Sequence, residues 1–109
     1  MDDAERSEQG MQLRREVLGD AHVDRAVAGT TPFTAPFQDL ITRYAWGEIW
    51  SRPGLSLAER SIVTLTALAV LGQDEELAMH LRAALRNGLT PEQIRAFTET
   101  AALIREHCS

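Results

Sequence analysis

Between Arg43 and Gly88 the chain gathers side chains suited to proton transfer and anion binding: Glu48, Glu76 and His80, with the cations Arg43, Arg60 and Arg82. Glu76 stands four residues before His80, one helical turn away, so on a helix the carboxylate and the imidazole can touch. A carboxylate in that place holds an imidazole in one tautomer and raises its pKa. Proton-transfer groups beside clustered cations suit chemistry on a small anionic substrate without a cofactor. The same residues have plainer readings. His80 also fits a packed, hydrogen-bonded residue at the edge of a core, and Glu76 a helix-surface charge. The arginines also fit solvated or ion-paired positions, and Trp46 and Trp50, four apart, fit core or interface anchors.

Other chemistries lack their residues. His22, His80 and His107 show neither HxxxH nor HExxH spacing, and Cys108 has no CxxC partner, so no metal site is expected. A GxSxG nucleophile motif and a glycine-rich phosphate loop are both missing.

The elements that must position these residues read as helix throughout, with no sustained strand alternation. A first amphipathic helix is predicted from about Asp3 to Val17, ending at Leu18-Gly19-Asp20. A connector follows, punctuated by Gly29, Thr30, Thr31 and Pro32. A second helix begins near Thr34 or Pro36 and runs to about Trp50, with Phe33, Phe37, Leu40, Ile41, Tyr44 and Ile49 as its apolar face. Ser56 and Glu59 form a capping-box pattern that opens a third helix, Leu57 to Leu71, apolar nearly all round and so expected to be buried. Gly72 stops it. The fourth helix runs from about Asp74 to Arg86 and closes at Asn87-Gly88. At 100° per residue, Leu77, Leu81, Ala84 and Leu85 make its apolar stripe. His80 lies on the border of that stripe, with Gln73, Glu76 and Asn87 on the same side. Thr90-Pro91-Glu92-Gln93 opens a fifth helix that continues towards the end. The expectation is an all-α domain of about five helices spanning residues 1–109.

Composition agrees with that class. A chain of 109 residues supports one core but not two independent ones. Its 16 acidic against 11 basic residues give a formal charge of −5, which argues against a nucleic-acid partner. The charged beginning has no apolar leader segment, and the run from Ile62 to Leu71 is too short to span a bilayer. The lone Cys108 excludes a disulfide within the chain. Together these point to a cytoplasmic protein without a membrane partner.

Four phrases carry a resemblance: VLGDAHVDRA (17–26), TPFTAPFQDLITRYAWGEIWSRPGL (31–55), RSIVTLTALAVLG (60–72) and MHLRAALRNGLTPEQIR (79–95). Over roughly residues 5 to 95 the chain resembles the carboxymuconolactone decarboxylase family, which has the alkylhydroperoxidase-like helical fold. Peroxidases of that wider fold show E-x11-C-x2-C-x3-H. Counted back from His80, this chain has Glu76 and Gln73 at the cysteine positions and Ser61 at the glutamate position. A peroxidase-like relative is therefore disfavoured, because nucleophile and resolving thiol are both gone.

The resemblance implies cofactor-free loss of CO2 from 4-carboxymuconolactone, giving 3-oxoadipate enol-lactone in the protocatechuate branch of the β-ketoadipate pathway. It implies His80 as general acid, with Glu76 or Glu48 setting its protonation. Arg43 and Arg82 are then candidates for the carboxylates of the anionic lactone substrate, and Arg60, Trp46 and Trp50 for the pocket lining. A homo-oligomer, trimer or hexamer, is implied as well. The family continues after Thr98 with an apolar helix, a Gly-Val-Pro turn and a further helix, where this chain reads TETAALIREHCS. The expected fold therefore lacks the usual terminal helix, with lower monomer stability or altered oligomerisation. The alternative is a catalytically impaired member acting as a helical oligomeric or binding module.

Overall fold

The computed structural model describes residues 1–108; the side chain of Cys108, and with it the reading of that lone thiol, lies outside the described residues. The described residues are helical and contain no strand. None of their helices is long and apolar enough to cross a membrane. The chain forms two compact units, Met1–Gly54 and a second beginning at Leu55.

In the first unit, α1 (Asp3–Leu18) opens where the Asp2 carboxylate accepts the Glu5 backbone N–H at 2.8 Å, with Asp3 and Glu5 in the positive first turn. Gly19, at φ 91°, breaks the helix, and α2 (Asp20–Ala28) restarts at once. Arg15 bridges this corner, pairing with Asp20 at 3.1 Å and Asp24 at 2.8 Å, while Val17 and Val23 are fully buried within it. The expected connector thus contains a helix of its own, so the described residues form six α-helices where about five were expected.

After a turn in which Thr31 N–H donates to Thr34 Oγ1 at 2.9 Å, α3 (Ala35–Leu40) passes without a break into a π-helical stretch, Ile41–Ile49. Trp50 N–H bonding Ala45 O at 2.8 Å shows the five-residue spacing of that wider turn. The π stretch lies against α1 at glycine-to-backbone distance. A Cβ on Gly10 would collide with the Thr42 carbonyl oxygen and stand 2.9 Å from Gly47 N; a Cβ on Gly47 would collide with the Arg6 carbonyl. The buried face is consequently Thr42, Trp46 and Gly47. This corrects the apolar face expected for the second helix. Phe37, Leu40 and Tyr44 are exposed, and Phe33, in the turn before α3, is 92% exposed. A 100° periodicity misplaces side chains once the winding widens, and close backbone approach selects glycine and threonine for the contact.

In the second unit, α4 (Leu57–Leu71) carries the capping box: Glu59 N–H donates to Ser56 Oγ at 3.1 Å and Ser56 N–H to Glu59 Oε1 at 2.8 Å. It ends at Gly72, left-handed at φ 71°, where Gln73 N–H caps Leu68 O at 3.0 Å. Next come α5 (Asp74–Arg86) and α6 (Pro91–Cys108), the latter opened by the reciprocal Thr90–Gln93 bonds of 3.1 and 2.9 Å. Leu65, Ala84 and Leu89 form the buried centre, with Leu77, Leu81, Ile94 and Phe97 packed around it. Helix α4 buries one stripe, Ser61, Leu65 and Ala69, while Ile62, Val63, Val70 and Leu71 are exposed. The expected all-round burial of this helix does not occur, because two partner helices cover only part of its circumference.

Candidate active site

The imidazole of His80 is positioned by α5, whose Leu77 and Leu81 pack on the core of the second unit and so fix which way the helix faces. His80 is half-buried at the border of that stripe, and its Nδ1 is shut off from solvent. Glu76 lies one turn earlier on the exposed side of the same helix, and Arg82 is exposed two residues later. Arg60, in the first turns of α4, is half-buried, with its Nε inside the protein. The buried Ser61 hydroxyl accepts a hydrogen bond of 3.0 Å from Asn87 Nδ2, tying α4 to the end of α5. Ser61 therefore serves as a structural acceptor at the position where the peroxidase pattern has glutamate.

In the first unit the π stretch carries Arg43, Trp46 and Glu48, and Trp50 caps its end. Glu48 accepts from Arg52 Nη2 at 3.1 Å and from Arg6 Nε at 3.4 Å. The Arg52 hydrogen bond, with Arg6 adding to it, holds its carboxyl below the usual carboxylate range. Glu48 is thus an anion at neutral pH, able to orient a cation or imidazolium but not to donate a proton. Arg43 donates from Nε to Asp39 at 3.0 Å, and its Nη1 lies 3.6 Å from Asp3. An open cleft of about 270 Å³ is lined by Arg6, Arg43, Arg52, Asp3, Glu48 and Tyr44. Every one of its arginines meets a carboxylate, so an anion binding there has to compete with internal partners. Trp46 is buried and Trp50 half-buried, with ring centroids 5.0 Å apart at 39°.

One buried cation escaped the sequence reading. Arg14 on α1 is 7% exposed and reaches Thr42 Oγ1 and Gln38 Oε1. Its signal was available: Gly10, Arg14 and Val17 follow each other at spacings of four and three, which places an arginine on the buried face. Among the described residues no group of three or more His, Cys, Asp or Glu side chains is arranged to hold a metal ion.

Residues 35–106 match the carboxymuconolactone decarboxylase family. The chain is 47% identical over 95 residues to the 4-carboxymuconolactone decarboxylase of Acinetobacter baylyi, covering 87% of this chain and 71% of that protein. It is 43% identical over 98 residues to a nitrosuccinic acid decarboxylase of Metarhizium robertsii, covering 88% and 67% respectively. A 4-carboxymuconolactone decarboxylase sequence from Pseudomonas putida matches along its whole length, 52% identical over 48 residues, or 44% of this chain. The chain belongs to the carboxymuconolactone decarboxylase family.

Proposed function

We propose that this chain is a carboxy-lyase that converts 4-carboxymuconolactone to 3-oxoadipate enol-lactone. The observation that carries the proposal is the 47% identity, across 87% of the chain, to a decarboxylase of that name. The chemistry asks little of a protein. Cleavage of the carbon–carbon bond releases CO2 and leaves its electron pair on a ring carbon conjugated through the alkene to the lactone carbonyl. The substrate is its own electron sink, so no cofactor is required. The protein has to bind carboxylate, stabilise the dienolate oxygen and return one proton to carbon.

Roles follow from chemistry within each unit. On α5, His80 donates the proton and recovers it from solvent, with Glu76 favouring its charged form. Glu48, kept ionised by Arg52 and Arg6, acts through its charge. In the first unit Arg43 binds carboxylate, with Trp46 and Trp50 as lining residues; in the second unit Arg82 binds carboxylate, with Arg60 as a lining residue. The enzyme works in the cytoplasm, in the protocatechuate branch of the β-ketoadipate pathway. It works as a homo-oligomer, trimer or hexamer, a reading supported by the exposed Phe33, Phe37, Leu40 and Tyr44 of the first unit and Val63, Val70 and Leu71 of the second.

A second reading is favoured by the 43% identity to the nitrosuccinic acid decarboxylase. That acid also carries its own sink, a nitro group on the carbon that loses CO2. Purified protein without added cofactor is given each compound in turn. Ultraviolet loss of 4-carboxymuconolactone above the buffer rate supports the first reading. CO2 release from nitrosuccinate alone supports the second. No turnover of either, with helical circular dichroism intact, returns the chain to a binding-module role.

A further inference from the structure

Arg14 differs from the arginines around it. Arg6, Arg15, Arg43 and Arg52 each meet a carboxylate. Arg14 is buried, and no carboxylate lies within ion-pairing distance of it among the described residues. Its Nη2 donates to Gln38 Oε1 at 3.1 Å and its Nη1 to Thr42 Oγ1 at 3.4 Å, both neutral acceptors, while its Nε is buried without a hydrogen-bond partner. Burial pulls its pKa down, yet a guanidinium stays charged at any working pH. A buried cation with only neutral partners is costly, and buried charges are ordinarily paired with an opposite charge.

The space for such an anion is present. Arg14, Gln38 and Thr42 line an open cavity of about 160 Å³ within the first unit. Met11 and Val27 give it an apolar wall, which suits a carbon tail better than a bare inorganic ion. Asp39 is also in the lining, but its carboxylate accepts from Arg43 Nε at 3.0 Å. A second negative charge beside Asp39 is disfavoured, which selects a monoanion over a phosphate dianion.

We propose that this cavity is a carboxylate-binding site in which Arg14, oriented by Gln38 and Thr42, takes the carboxylate of a small organic acid whose carbon tail packs on Met11 and Val27. The carboxylate belongs either to the substrate or to a separate effector acid. Binding itself does not depend on the reaction proposed above.

The test titrates sodium butyrate into ¹⁵N-labelled protein, with sodium chloride matching ionic strength. Wild type is expected to show saturable amide shifts around Arg14 with a millimolar midpoint. Gln38→Glu puts a carboxylate oxygen where the amide oxygen now meets Arg14, so it fills the site from within and weakens butyrate binding at least tenfold. Arg14→Met is expected to do the same; should it fail to fold, Gln38→Glu decides alone. Absence of saturable shifts in wild type overturns the proposal. So does equal butyrate affinity in wild type and a folded Gln38→Glu protein. Inorganic phosphate binding more tightly than butyrate also overturns it. Kinetics with 4-carboxymuconolactone separate the sources: a KM raised about tenfold in Gln38→Glu at retained kcat assigns the site to the substrate. An unchanged KM with butyrate binding lost assigns it to an effector. Both keep the carboxylate site, and a protein that turns over neither substrate still reports on it through the titration.

Discussion

Replacing Gly10 by alanine tests the contact on which the first unit is built. On an exposed helix this change stabilises, because alanine has the better helix propensity by about 1 kcal/mol. Here the sign reverses. The new methyl would overlap the Thr42 carbonyl oxygen and stand 2.9 Å from Gly47 N and 3.0 Å from Thr42 C. Carbon needs roughly 3.5–4.0 Å from such atoms. All three belong to backbone and cannot swing aside, so α1 and the π stretch must separate. That also loosens the Gly47–Arg6 approach on the same face. Overpacking of this kind costs about 3 kcal/mol at the upper end of its usual range. Offset by the propensity gain of about 1, the net loss is about 2 kcal/mol. With a urea dependence of about 2 kcal/mol per molar, the midpoint falls by roughly 1 M. Both tryptophans, Trp46 and Trp50, lie in this unit, so their fluorescence reads its unfolding directly. Gly29→Ala is the control. That residue has a helical φ of −84°, and its added Cβ meets nothing closer than Arg25 O at 3.4 Å, so it should be neutral or stabilising by about 0.5 kcal/mol. A Gly10→Ala midpoint equal to or above wild type would refute the close-packing argument.

Three further outcomes are expected. His80→Gln should lower decarboxylation at least about 100-fold with the far-ultraviolet spectrum unchanged, as loss of a general acid requires; wild-type turnover would remove His80 from that role. Ser56→Ala should cost about 1 kcal/mol in the second unit, read by circular dichroism in denaturant, since it leaves the Glu59 N–H without its cap; a superimposable curve counts against the capping box as a stabilising element. Glu48 has a folded pKa below its ordinary 4.5, so its pairing with Arg52 and Arg6 contributes fully above that value and is lost as the pH falls through the lower folded value. Glu48→Gln should therefore flatten the acid side of the stability profile of the first unit, and added salt should do likewise because the group is exposed; parallel profiles would contradict the assignment.

Local chemistry made most helix limits legible. The Ser56–Glu59 and Thr90–Gln93 patterns, with Gly72 and Gly88 as stops, bound α4, α5 and the start of α6 where the sequence placed them. These signals act between neighbours and need no tertiary partner. The family was legible for the same kind of reason, since it rests on long runs of residues in order. Within the candidate site, the helix carrying Glu76 and His80 was readable from spacing, and so was the placing of His80 at the edge of an apolar stripe.

Tertiary structure decided what local spacing cannot. Helix α2 forms where sequence suggested a connector, because Arg15 holds Asp20 and Asp24 across the break at Gly19. The π winding over Ile41–Ile49, in which Thr42, Trp46 and Gly47 are buried and Tyr44 is exposed, accompanies the approach of α1 at Gly10 and Gly47. Glu48 also meets Arg6, 42 residues away in sequence, which adds to the lowering of its pKa by the nearer Arg52. Sequence by itself determined most helix limits, the residue types and the family, which depend on neighbours along the chain. Which face is buried, which cation lacks an anion and which carboxylate meets a distant arginine depend on atoms brought together from distant positions, and only the folded chain brings them there.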